Sequence, residues 1–144
     1  MNKNQKGFTL IELLVVIAII GILSTLAVIS LNNARTKAQD AKIVSDVKSV
    51  QTALELFRND WSTYPASNGG FLPTSISTGT KGTSDYVAYM AQTPKYGGGN
   101  YVYHATTSLA NPELISYDIP FTLNGKTGEL NTGAHTAAPG EISN

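Results

Sequence analysis

The sequence predicts an α+β fold: one long N-terminal α-helix whose second half packs on a small antiparallel β-sheet of three or four strands. Three features of the chain lead to it. Phe8 to Leu31 is an apolar run of 24 residues with one charge, Glu12, and no proline. Asn32 to Asp60 continues without glycine or proline and is rich in Ala, Lys, Asp, Gln and Leu, most of which favour a helix. Beyond Trp61 the composition changes to Gly, Ser, Thr, Asn, Tyr and Pro, with short aromatic and β-branched runs between turn residues.

As a helix the apolar run reaches about 36 Å, against a bilayer hydrocarbon core of about 30 Å, so it can span a membrane with some tilt. The flank before it, MNKNQKG, is short, polar and basic, and the positive-inside rule keeps it in the cytoplasm and sends the rest outward. Arg35 and Lys37 follow the span, but no second span holds them back. Within the run Ala18, Gly21 and Thr25 recur at spacings of three and four, with Ser24 and Ala27 beside them. Such a small-residue face lets helices approach closely in lipid, although single-span helices also tolerate these residues.

In the second half of the helix Ile43, Val47, Val50, Leu54, Phe57 and Trp61 recur at alternating spacings of four and three. This makes one apolar stripe, with Lys42, Asp46, Lys48, Glu55 and Arg58 left for the wet sides. The stripe is short for a coiled coil, and the strand-like sequence downstream needs a cover, so it is expected to pack on the sheet. Phe8 to Asp60 then forms one helix of about 80 Å. Residues 8–31 are then the membrane half of the helix and 32–144 an exported domain, with residues 1–7 as a polar, basic flank before them.

Thr63-Tyr64-Pro65 ends the helix and Asn68-Gly69-Gly70 marks a turn. A long loop is expected from Ser67 to Lys95, with a short helix or strand at Asp85 to Ala91. Tyr101 to Thr106 and Leu114 to Leu123 read as strands. Asn124 to Gly128 reads as a hairpin loop leading to a short strand near Glu129 to Asn131, and the Gly-, Ala- and Pro-rich tail from Gly133 as irregular.

Composition removes several function classes. Lys+Arg and Asp+Glu both number 10, so the net charge of zero leaves no electrostatic footprint for nucleic acid. With no cysteine the chain has no disulfide, thiolate metal site or cysteine nucleophile. His104 and His135 lack ligand spacing and read as surface or loop residues. No nucleophile elbow, phosphate loop or zinc-protease motif stands in a fitting context, and Gly97-Gly98-Gly99 lacks the strand, lysine and helix that phosphate binding needs. No catalytic residue, cofactor, metal or small-molecule substrate is therefore expected. Tyr96, Tyr101 and Tyr103 could stack on DNA bases, but sheet packing is the commoner use of such alternation.

The N-terminus carries the informative chemistry. A secretory signal has an apolar stretch of about 7–15 residues before its cleavage site, whereas Leu13 to Leu31 runs charge-free for 19 and leads into more helix. A plain anchor explains the length but not the carboxylate of Glu12, which costs about 2.5–3.5 kcal/mol at the membrane centre and less near its edge. One local compensation is visible, because Thr9-Leu10-Ile11-Glu12 is a capping box that satisfies donors at a helix start.

Lys6-Gly7-Phe8-Thr9-Leu10-Ile11-Glu12 resembles the prepilin signature of type IV pilins and type II secretion pseudopilins. The resemblance implies a pilin fold, and cleavage between Gly7 and Phe8 on the cytoplasmic side by a prepilin peptidase, which also methylates the Phe8 amine. It further implies that Glu12 pairs with the Phe8 ammonium of a neighbouring subunit during filament assembly, and that an inner-membrane platform builds the filament. Cutting at Gly7 removes Lys3 and Lys6 while keeping the apolar segment. On this reading the chain is a single-pass precursor in the bacterial cytoplasmic membrane, then part of an extracellular or periplasmic homopolymer. The leading expectation is a subunit of a type IV pilus; the alternatives are a pseudopilin of a secretion or DNA-uptake machine and a non-polymerising surface-binding protein.

The resemblance is closest from Lys6 to Leu31 and extends through Tyr64-Pro65, a pair that pilins often share. Departures are also plain. Many pilins carry a proline in the second half of the span, where this chain has Val28-Ile29-Ser30, and many close a C-terminal loop with a disulfide. Some major pseudopilins bind calcium through clustered aspartates, whereas here only Asp85 and Asp118 lie beyond the helix, with Glu113, Glu129 and Glu141 dispersed.

Overall fold

The structure, a computed structural model, describes residues 7–78, 87–108 and 111–143. It divides into two compact units, Met1–Thr36 and Lys37–Asn144. The first unit is the apolar part of α1, the helix Leu10–Trp61, whose remaining turns belong to the second unit. The helix starts two residues later than expected because Thr9 stands outside it as the cap, and it ends one residue later, where Ser62 turns left-handed at φ 57°.

Eight strands follow among the described residues: β1 Ile76–Thr78, β2 Val87–Met90, β3 Lys95–Tyr96, β4 Gly99–Asn100, β5 His104–Ser108, β6 Asn111–Leu123, β7 Gly133–Ala138 and β8 Glu141–Ser143. β1 pairs with β2 and β3 with β4, while β5-β6-β7-β8 form an antiparallel four-stranded sheet in chain order. Along β6 Tyr117, Ile119, Phe121 and Leu123 are buried and the residues between them are not, the period of two expected of a half-buried strand. Their core partners on α1 are Val47, Val50, Ala53, Leu54 and Phe57. The apolar stripe therefore packs on the sheet, as expected, and the coiled-coil reading falls away.

Several local expectations need correction. Tyr101 to Thr106 is not one strand: β5 begins at His104, and the preceding segment pairs instead with the 68–71 turn, Leu72 N–H donating to Tyr101 O at 2.9 Å and Tyr103 N–H to Gly70 O at 2.9 Å. The long loop contains β1 and β2; Asp85 lies outside the described residues. Glu129 to Asn131 is not a strand, since Thr127 and Leu130 close a tight turn on each other. The tail is regular, not irregular: β7 and β8 form a hairpin across Pro139-Gly140, with Gly140 left-handed at φ 78° and Ala138 opposite Glu141. Turn chemistry makes this strand pair, and alanine content alone concealed it.

Trp61 also departs from the stripe. It is 53% exposed, being the last helical residue, where the chain turns away before further core can cover it.

Candidate functional site

The N-terminal motif is built on the first turn of α1. Among the described residues nothing beyond its chain neighbours lies within 4 Å of the position a Cβ on Gly7 would take, and Phe8 is 78% exposed. Thr9 and Glu12 close a full capping box. The Thr9 N–H donates to Glu12 Oε2 at 2.8 Å, the Thr9 hydroxyl donates to the same oxygen at 2.7 Å, and the Glu12 N–H donates back to Thr9 Oγ1 at 3.3 Å. The local use of Glu12 is thus present, and it engages Oε2 alone among the described contacts.

Further along, two polar side chains of the apolar run are satisfied within their own helix. Ser24 donates to Ile20 O at 2.7 Å and Thr25 to Ile22 O at 2.7 Å, which makes both hydroxyls compatible with lipid. Gly21 has nothing within 4 Å of a built Cβ, and the Ala18, Gly21 and Thr25 face is exposed. The helix is long and apolar enough to cross a membrane, its most apolar window reaching a mean hydropathy of 2.8.

In the second unit α1 anchors two turns through polar side chains that the sequence did not single out. Asp40 is fully buried, and its carboxylate accepts the N–H groups of Asn124 at 3.1 Å and Gly125 at 2.6 Å. Gln51 donates to Ala138 O at 2.8 Å and Glu141 O at 2.9 Å, holding the β7–β8 turn. A signal for Asp40 existed: it lies three residues before Ile43, where the stripe's own alternation puts its next inward position.

Tyr64, of the Tyr-Pro pair, is buried with its hydroxyl donating to Glu55 at 2.8 Å and its ring edge-on to Tyr117 at 4.8 Å. Burial and the Glu55 carboxylate push its phenol up to about 12. Tyr103 donates to Pro65 O at 2.9 Å, so the two tyrosines fix the exit of the helix from both sides. Tyr101 and Tyr103 are core residues, in line with the packing reading, while Tyr96 sits at the surface.

His104, on β5, is exposed and pairs with Asp118 at 2.7 Å. His135 is not a surface or loop residue: it is buried on β7, stacked on Phe121 and donating from Nε2 to Asn131 O at 2.8 Å. Among the described residues no group of three or more His, Cys, Asp or Glu could hold a metal ion. Glu129, Glu141 and Lys48 all line one cavity of about 530 Å³.

Residues 2–28 match the family model of the prokaryotic N-terminal methylation motif. The type II secretion system core protein G of Vibrio cholerae is 31% identical over 139 residues, covering 92% of this chain and 90% of that protein. The type IV major fimbrial protein FimA of Dichelobacter nodosus is 30% identical over 128 residues, covering 88% and 81%. The core protein G of Klebsiella michiganensis is 43% identical over 69 residues, 48% of this chain, so the chain spans about half the length of that relative. No solved structure is significantly similar. The chain belongs to the type IV pilin and pseudopilin family.

Proposed function

We propose that the chain is a structural subunit of a type IV pilus-like filament, and not an enzyme. A prepilin peptidase would cut it between Gly7 and Phe8 and methylate Phe8, and it would polymerise with copies of itself or related pilins through the N-terminal helix. Phe8 and Glu12 would pair between subunits, with Ala18, Gly21 and Thr25 at the helix contacts. The observation that carries this reading is the methylation-motif match, which spans the Gly-Phe junction and the Glu12 cap at the start of a helix able to cross a membrane. The precursor would sit once across the cytoplasmic membrane, leader inside, and would be drawn into an extracellular or periplasmic filament by an inner-membrane platform. Residues 1–7, 8–31 and 32–144 would serve as leader, assembly helix and exported domain.

A second reading, a pseudopilin of a type II secretion machine, is favoured by a specific observation: the Vibrio cholerae core protein G aligns over nine-tenths of both chains. Mass spectrometry of the N-terminus of the native protein tests what the two readings share. A chain beginning at methylated Phe8 supports both, and an intact leader on assembled or secreted material contradicts both. Deleting the gene then separates them, since loss of surface pili supports the first and loss of protein secretion the second.

A further inference from the structure

Trp61 is the single tryptophan of the chain and is 53% exposed, yet its side chain is held in place. Its indole N–H donates to the Tyr89 hydroxyl at 3.1 Å, and that hydroxyl donates to the Asp60 carboxylate at 2.7 Å. Phe57 lies against both aromatics, 6.5 Å from the Trp61 ring and edge-on to Tyr89 at 5.4 Å. The Asn59 amide reaches the other Asp60 oxygen at 3.4 Å. An exposed indole tethered by a ring contact and a hydrogen bond has little rotamer freedom left to lose when something binds it.

We propose that Trp61, Tyr89, Asp60 and Asn59 form a binding platform for a neutral pyranose of a glycan. The flat indole offers an apolar face to the C–H face of a sugar ring, with a polar edge alongside. Sugar hydroxyls donate and accept at once, which suits a set containing a carboxylate that accepts and an amide that does both. The Asp60 charge opposes a phosphate or a sugar acid, so stacked nucleic acid is the wrong occupant. An ammonium group only donates and would leave the second Asn59 amide hydrogen unanswered. The inference stands apart from the filament reading, since it needs only the second unit.

With one tryptophan, the emission of the chain reports on this site directly. The full chain, in micelles of a detergent without a sugar headgroup, is titrated with cellotetraose, maltotetraose, mannotetraose and chitotetraose, and with choline and inorganic phosphate. The expected result is a saturable change with at least one tetrasaccharide, with Kd on the order of millimolar, and none with choline or phosphate. Asp60→Asn, at the surface, and Tyr89→Phe, which keeps the partly buried ring, should each weaken it about tenfold. No saturable change with any of the four sugars overturns the proposal, as does wild-type affinity in both variants. A response to choline alone reassigns the patch to a cation, and a shift that follows protein concentration without sugar reassigns it to a second copy; either also overturns it.

Discussion

Asp40 accepts the N–H of Gly125 at 2.6 Å across 85 positions of sequence, from a carboxylate with no exposure to solvent. With the Asn124 bond, the end of β6 and the turn after it are fixed to the helix that covers the sheet. A Cβ on Gly125 would sit 3.4 Å from that carboxylate, so the approach is close as well as polar.

Asp40→Ala should therefore destabilise the second unit by about 2–3 kcal/mol, because a charge-assisted acceptor goes and two part-buried N–H groups are left behind. Asp40→Asn, which keeps one acceptor oxygen, should lose less. The denaturation midpoint of the chain in micelles, followed by Trp61 emission, measures both. Equal midpoints for wild type and Asp40→Ala would show that the two bonds are replaced by water at no cost.

Leu54 is fully buried among the α1 residues that face β6. Leu54→Asp should unfold the second unit, because it places an unpaired charge in that core, while membrane insertion through the apolar run persists. Retention of cooperative unfolding near the wild-type midpoint would mean that this stripe is not what holds helix and sheet together.

The contrast between these two positions shows what the sequence could reveal. Leu54 was legible because apolar periodicity reads out a buried face whatever lies opposite it, and β-branched and aromatic content marked Leu114 to Leu123 as a strand. Asp40 occupies the next inward step of the same stripe and was passed over, because its partners are backbone N–H groups 84 and 85 residues away. The β7–β8 hairpin was missed for a related reason: its residues have low strand propensity, and its stability comes from pairing and from the Gln51 bonds. The capping box was legible because Thr9 and Glu12 lie three residues apart in sequence.

Alkaline solution should separate the tyrosines. Tyr64 is raised to about 12 by burial and by Glu55, and burial also lifts Tyr101, Tyr103 and Tyr117. Their folded forms hold protons that the unfolded chain releases near pH 10, so their contribution is complete below about pH 10 and declines as pH rises toward 12. Phenolate absorbance should show these four buried tyrosines ionising late and together with loss of structure. Titration of all seven tyrosines near pH 10 with the fold intact would contradict the buried placement.

Gly7 stands open, with no neighbour to clash with a side chain in the free chain. Gly7→Leu should therefore leave insertion and folding untouched and accumulate uncut precursor, because any obstruction arises only against the peptidase. Maturation of this variant at the wild-type rate would remove the Gly7-Phe8 junction as the cleavage site.

Glu12 carries the central claim. Loss of its capping bonds to Thr9 would fray one helix end while removing a charge from an apolar segment able to cross a membrane. Glu12→Ala should thus remain inserted and be cleaved normally. Assembly should fail, since each Phe8 ammonium would enter the filament without a counter-charge, a cost of roughly 3–5 kcal/mol repeated at every subunit. The direct measurement is the amount of sheared, sedimentable filament against membrane-held subunit for wild type and Glu12→Ala, at equal expression and with the mature N-terminus verified by mass. The account predicts mature Glu12→Ala subunit in the membrane and almost none in filaments; filament yield equal to wild type would contradict it and leave Glu12 as a helix cap alone.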